Sequence, residues 1–80
     1  MRQMKYVVLE RDGEERIFMF PESVQHSHMA SMLSCLGAPV RAGFVYFTPR
    51  GLMCSGSSVS LKLQSSQKDT EMLNRQLGND

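Results

Sequence analysis

The sequence predicts an α+β domain in which an antiparallel sheet of two hairpins packs with two helices, in the order ββαββα. Two observations predict the hairpins: Asp12-Gly13 separates two apolar runs, and Pro49-Arg50-Gly51 separates two further runs rich in aromatic and β-branched residues. A third observation predicts the helices, because each hairpin is followed by a segment with apolar residues at helical spacing and then a glycine. The 80 residues leave room for one small domain, residues 1–80.

The first hairpin lies in the stretch MKYVVLERDGEERIFMF. Strands are expected over residues 4–11 and 14–20, because Asp-Gly suits a two-residue turn in which both residues adopt positive φ. Alternation along these strands produces two apolar faces. One face is predicted to carry Met4, Tyr6, Val8, Ile17 and Met19, and the other Val7, Leu9, Phe18 and Phe20.

The first helix is predicted over residues 22–35. Pro21 is tolerated in a first helical turn, and Glu22 favours the positive end of the helix dipole. Gly37 and Pro39 end the segment. The apolar stripe of this helix consists of Met29, Met32, Leu33 and Leu36.

The second half of the chain repeats the plan. Strands are expected over residues 40–48 and 52–63, with the second strand fraying through the serine-rich stretch SGSSVS. A short second helix follows, with Ser66 as its N-cap, Asp69 as the capping-box residue and Gly78 as its stop. In the second hairpin, one face is predicted to carry Val40, Ala42, Phe44 and Tyr46, and the other Val45 and Phe47.

Apolar residues on both faces of both hairpins predict that something covers each face of the sheet. The second helix is short and has a narrow apolar stripe, so the sequence favours a homodimer or a protein partner on the face that it leaves open. The alternative is that each helix packs on its own face of the sheet. The candidate interface residues are Tyr6, Ile17, Met19, Phe44, Tyr46 and Phe47.

Composition and charge narrow the classes of partner and compartment. The net charge of +1 provides no long-range attraction for nucleic acid or anionic lipid. The apolar run near the start is too short for a signal-peptide core or a membrane span, which predicts a cytoplasmic protein. Cys35 and Cys54 are expected to be buried reduced thiols, because no export signal accompanies them.

The stretch GFVYF resembles half of the aromatic strand with which RNA-recognition domains stack bases. The other half is missing, because Ala42 stands where the stacking aromatic is required and Arg41 stands where that motif has glycine. The predicted order of elements also differs from the βαββαβ plan of that fold, so core strand is the favoured interpretation. A small single-stranded nucleic-acid binder that uses sheet aromatics with Lys5, Arg41 and Arg50 remains the alternative function.

No metal, cofactor or catalytic group is predicted. His26 and His28 lie two residues apart, so on a helix they point about 200° apart and flank the apolar stripe at its two borders. The chain has no Cys-x-x-Cys pair, no Gly-x-Ser-x-Gly elbow and no phosphate-binding loop. The expectation is therefore a protein without catalytic activity.

The run AGFVYFTPRGLMCSGSSVSLKLQSSQKDTEMLN, after a short hairpin, FP and a helix, resembles small uncharacterised proteins encoded by tailed phages and prophages of Gram-negative bacteria. The likeness covers most of the chain and has no catalytic signature. It implies a short accessory protein that acts in the host cytoplasm by binding a host or phage protein. Its most distinctive residues are Gly43, Phe44, Val45, Phe47, Gly51, Cys54, Gly56, Ser58, Ser60, Leu61 and Asp69.

Overall fold

The computed structural model of the chain describes residues 3–78. Its elements, in chain order, are β1 (Gln3–Arg11), β2 (Glu14–Pro21), α1 (His26–Met32), a 3₁₀ turn (Ser34–Leu36), β3 (Ala38–Thr48), β4 (Gly51–Ser55), β5 (Ser57–Ser58), β6 (Leu63–Gln64) and α2 (Gln67–Gln76). The first four strands form an antiparallel sheet in the order β2-β1-β3-β4, and β5 pairs with β6 in a separate ribbon. The predicted α+β class is confirmed, with two hairpins that meet through β1 and β3.

The first hairpin has the predicted turn. Asp12 and Gly13 adopt φ values of 54° and 82°, and the strands pair on either side with Arg11 opposite Glu14. Positive φ at both turn positions matches the right-handed twist of the flanking strands. The local sequence therefore determines the register of this hairpin.

The first helix begins later than predicted. Pro21 is the last residue of β2, opposite Met4 of β1, rather than part of a helical turn. A turn follows, in which the Val24 amide donates to the Pro21 carbonyl (3.1 Å), and α1 starts only at His26. Proline suits the end of an edge strand as well as the start of a helix, because it lacks an N–H in both settings.

The strand predicted over residues 52–63 is also wrong beyond Ser55. Gly56 has φ +87°, which turns the chain out of β4, and the next residues form the β5–β6 ribbon. A left-handed φ is readily adopted by glycine and interrupts the pleat of a strand. The serine-rich stretch therefore builds a second ribbon instead of extending the main sheet.

A β-bulge changes the face of one predicted residue. Val8 pairs with Arg41 and Leu9 pairs with Pro39, so Val40 is the extra residue of β3. The sequence pattern placed Val40 on the same face as Ala42. In the structure it packs with the opposite cluster, because an extra residue shifts the alternation by one position.

One helix packs against each face of the sheet, as in the alternative in which each helix takes its own face. The first cluster contains Tyr6, Val8, Ile17, Val45, Cys54 and Leu73. The second cluster contains Val7, Leu9, Phe20 and Ala42, with α1 and the β6 segment packed against it. The face of the first cluster is called the α2 face below, and that of the second the α1 face. Neither helix among residues 3–78 is long and apolar enough to cross a membrane.

Candidate functional site

A network of hydrogen bonds and ion pairs connects α2 to the sheet. The Arg41 guanidinium donates two hydrogen bonds to the Glu15 carboxylate (2.6 and 3.0 Å) and a third, from Nε, to Asp69 Oδ1 (2.7 Å). Lys68 Nζ lies 3.5 Å from Glu15 Oε1 at the rim. Exposed fractions of 15% for Arg41, 28% for Glu15 and 0% for Asp69 place this network largely inside the protein.

Tyr6 completes the network from the central strand. Its hydroxyl donates to Asp69 Oδ2 (2.5 Å), and the same oxygen accepts from the Ser66 amide (2.9 Å) at the start of α2. Bidentate hydrogen bonding to Arg41 lowers the pKa of Glu15 to about 2. Burial, followed by the hydrogen bond to Asp69, raises the pKa of Tyr6 above its ordinary value.

The buried polar atoms of this network all have hydrogen-bond partners within the protein. Among residues 3–78, every fully buried side-chain nitrogen and oxygen has a hydrogen-bond partner. Asp69 is the residue that the sequence assigned to the helix cap, and Arg41 is one of the candidate nucleic-acid contacts. The geometry gives both of them a structural role, because their polar atoms are directed at each other rather than at solvent.

Side chains of α2 also bind the two edges of the sheet. At β4, Thr70 Oγ1 accepts from the Cys54 amide (2.9 Å), while Asn74 accepts from the Leu52 amide (3.3 Å) and donates to its carbonyl (2.9 Å). At the opposite edge, Gln76 Nε2 donates to a carbonyl of β2 (3.0 Å). Free strand edges are templates for pairing with other chains, so these contacts disfavour strand addition at both edges.

An exposed apolar surface lies on the α1 face, beside the first residue of α1. Tyr46 and Met53 are register partners on β3 and β4, and Phe44 lies two residues before Tyr46 on the same face. Met53 is 51% exposed and Val59, in the loop between β5 and β6, is 89% exposed, while both aromatic residues are partly exposed. These four residues, Phe44, Tyr46, Met53 and Val59, are called the Phe44 surface below.

A groove of about 370 Å³ opens at one end of the Phe44 surface, between Lys5, His26, Phe44 and Val59. His26 is buried, and its Nε2 donates to the Gly43 carbonyl at 2.8 Å, because a carbonyl oxygen can only accept. The imidazole packs edge-on against Phe44, with ring centroids 5.6 Å apart. Burial lowers the pKa of His26 below its ordinary value, so the ring is neutral at neutral pH.

The predicted interface residues do not form one surface. Tyr6 and Ile17 are buried under α2, so their prediction as contact residues is corrected: both contribute to the interior. Met19 is partly buried against the same cluster. Phe47 pairs with Leu52, a partly buried residue packed against the same cluster, and lines a separate groove near the end of the sheet.

Phe44 and Tyr46 are the two predicted interface residues that meet on an exposed surface. Two further members of that surface, Met53 and Val59, were not among the predicted interface residues. The sequence has no periodic signal around Val59, because Gly56 interrupts the strand. The sequence feature that could have indicated an exposed Val59 is its isolated position in a serine-rich stretch.

The three candidate nucleic-acid cations lie in different places. Lys5 lies on the α1 face, Arg41 is ion-paired on the α2 face, and Arg50 lies in the exposed turn between β3 and β4. They do not form one basic patch among the described residues. The structure therefore does not place these three cations together, as the nucleic-acid-binding alternative required.

Histidine and cysteine positions differ in part from expectation. His28 is exposed, but His26 is buried rather than at the border of a stripe. Cys54 is buried, and burial raises the pKa of its thiol to about 12, whereas Cys35 is exposed and free, which corrects the expectation of two buried thiols. Within residues 3–78, no three His, Cys, Asp or Glu side chains are grouped as metal ligands.

Comparisons with protein-family models, with curated proteins and with solved structures find no match for this chain. The features that bear on function are therefore the geometry of the Phe44 surface and of the groove beside it.

Proposed function

We propose that the protein binds another protein through the Phe44 surface and acts by occupying that partner rather than by catalysis. The partner is a second copy of the chain or a different protein. The observation that carries this proposal is the cluster of exposed apolar side chains at the open end of the α1 face. Contiguous apolar surface of this kind usually marks an interaction site.

The rest of the sheet has less surface that a partner could contact. Most of both faces is covered by the chain's own helices, and side chains of α2 bind both edge strands. Phe44 and Tyr46 were expected at an interface from the alternation of the second hairpin. The two residues added by the geometry, Met53 and Val59, are the most exposed of the set.

The energetic gain from burying this surface is comparable with the cost of association. Fully burying one apolar side chain stabilises a complex by about 1.5 to 3 kcal/mol, whereas association costs about 4 to 15 kcal/mol. Burying the four residues of the Phe44 surface, two of which are already partly buried, would contribute a free energy of the same order as this cost. Aromatic residues and methionine are also enriched at the centres of protein interfaces.

The biological setting that we propose is the cytoplasm of a Gram-negative bacterium, where the chain serves as an accessory protein of a tailed phage or prophage. The resemblance of most of the chain to such proteins supports this setting. A short accessory protein that binds a host or phage protein needs no catalytic group, and its small exposed surface is sufficient for the task.

A paired capture experiment tests the proposal. Tagged wild type and the double variant Met53→Ser/Val59→Ser are incubated with a lysate of a Gram-negative host and with untagged copies of the chain. We expect the wild type to retain at least one protein, or its own copy, that the variant does not. Because both residues are at least half exposed, the variant should keep the wild-type circular dichroism spectrum.

Identical retention by the two proteins would contradict the proposal, since binding would then occur elsewhere. A chain that stays monomeric at high micromolar concentration in light scattering and retains no protein would also contradict it.

A further inference from the structure

Lys5 is unusually placed for a lysine. It lies in β1, a central strand of the sheet, where its register partners are Phe20 on β2 and Phe44 on β3. It is partly buried, and its Nζ donates to the Val24 carbonyl at 2.9 Å. Lysine in such a position is uncommon, because a charged group is costly to bury without a partner.

The charge of Lys5 has no counter-ion within the part of the chain that the structure describes. No carboxylate among residues 3–78 lies within 4 Å of its ammonium, although Arg41 and Arg75 have such partners. An ammonium carries three donor hydrogens, and a single carbonyl accepts only one of them. The remaining donors of Lys5 are available at the groove that this residue lines.

The other residues that line the groove add apolar and neutral polar surface without adding charge. Phe44 and Val59 provide apolar contacts, and the buried His26 is neutral at neutral pH. Gln25, Ser57 and Ser60 complete the lining with polar, uncharged side chains, so Lys5 is the one cation among the described residues that line the groove. An ion pair formed there is screened less by water and salt than one on open surface.

We propose that this groove binds a partner segment in which a carboxylate side chain lies next to an apolar one. The carboxylate pairs with the Lys5 ammonium, and the apolar side chain packs between Phe44 and Val59. This inference rests on the proposed function and specifies the chemistry of the partner at one end of the Phe44 surface. A carboxylate suits a single ammonium, whereas phosphate sites normally combine several donors, often including arginine.

Selection from a random peptide library tests the inference. Dodecapeptides made by mRNA display are selected on immobilised wild type, Lys5→Met and Arg75→Met. Lys5→Met keeps the apolar stem and removes the charge. Arg75→Met removes one charge from an exposed residue of α2 and is the matched control. We expect peptides selected on wild type and on the control to carry Asp or Glu beside an apolar residue, and this preference to disappear on Lys5→Met.

One selected peptide then serves as a defined probe in fluorescence polarisation. Replacing its acidic residue by the corresponding amide should weaken binding to wild type by about tenfold. The same replacement should have little effect on binding to Lys5→Met, because the pair is already broken, and the two changes together should be far from additive. The amide peptide needs no change in the protein, so the test is informative even if Lys5→Met folds poorly.

Several results would overturn the inference: selected peptides without acidic residues, equal acidic preference on Lys5→Met, tighter binding of a phosphorylated peptide, or no selected peptide at all. Apolar peptides that lose binding to Met53→Ser/Val59→Ser but not to Lys5→Met would contradict this inference and leave the proposed function in place. Peptides insensitive to both sets of changes would contradict the two proposals together.

Discussion

Replacing Arg41 by methionine should destabilise the protein strongly, because Asp69 would be left inside it without its counter-ion. Asp69 is 0% exposed and receives a hydrogen bond of 2.7 Å from Arg41. Breaking a buried ion pair by removing one partner costs about 3 to 5 kcal/mol. Domains of this size have a free energy of unfolding of roughly 4 to 12 kcal/mol, so the loss is a large fraction of the total.

Two further variants provide smaller expected losses of stability with which the loss in Arg41→Met can be compared. Tyr6→Phe removes one hydrogen bond to the same carboxylate and should cost about 1.5 to 3 kcal/mol. Arg16→Met breaks an ion pair with Glu14 in which both side chains are more than half exposed, and it should change stability by less than about 0.5 kcal/mol. The expected order of destabilisation is therefore Arg41→Met, then Tyr6→Phe, then Arg16→Met.

Urea denaturation followed by circular dichroism measures all three variants at neutral pH. If Arg41→Met does not fold, Tyr6→Phe still tests the network, because its expected loss leaves a folded population. The reasoning is refuted if Arg41→Met and Arg16→Met have the same free energy of unfolding, since the buried network would then contribute no more than a surface pair.

Three other predictions concern His26, metal and nucleic acid. Because burial lowers the folded-state pKa of His26 below 6.5, the unfolded chain binds more protons in that range. The stability contributed by the neutral ring should thus be complete above pH 6.5 and decline as pH falls towards the folded-state pKa, and a urea series should show this slope in wild type but not in His26→Gln. Treatment with EDTA should leave the melting temperature and the helical signal unchanged, and a clear loss of either would contradict the metal prediction. Labelled single-stranded RNA or DNA should bind only weakly at physiological salt, given the net charge of +1, and submicromolar salt-sensitive binding in fluorescence polarisation would restore that alternative.

Features set by local chemistry were predictable from the sequence. Asp12-Gly13 identifies a tight turn on its own, and alternation assigns the faces of β1 and β2 because no irregularity separates those strands. The start of α1 was mispredicted because Pro21 is equally acceptable at the end of a strand and at the start of a helix. Pairing with Met4 places Pro21 at the end of the strand rather than in the helix, and this contact joins residues that are distant along the chain.

The candidate site was only partly predictable, for the same physical reason. A single extra residue at Val40 reverses the alternation, and the bulge depends on pairing with β1 rather than on any local signal. The partners of Arg41 are 26 and 28 residues away, so its structural role could not be read from neighbouring letters. Phe44 and Tyr46 were identified by periodicity, whereas the exposure of Met53 and Val59 depends on tertiary packing that no local pattern encodes.

Site-specific photo-cross-linking tests the central claim, that the Phe44 surface is a protein contact. p-Benzoylphenylalanine is incorporated in place of Met53 or, as a control on the opposite side of the protein, in place of Arg75, and cells that express each protein are irradiated. Both positions are more than half exposed, so the substituted chains should fold. We expect a covalent adduct of defined mass from position 53 and none of that mass from position 75. Absence of an adduct at position 53, or the same adduct from both positions, would contradict the central claim.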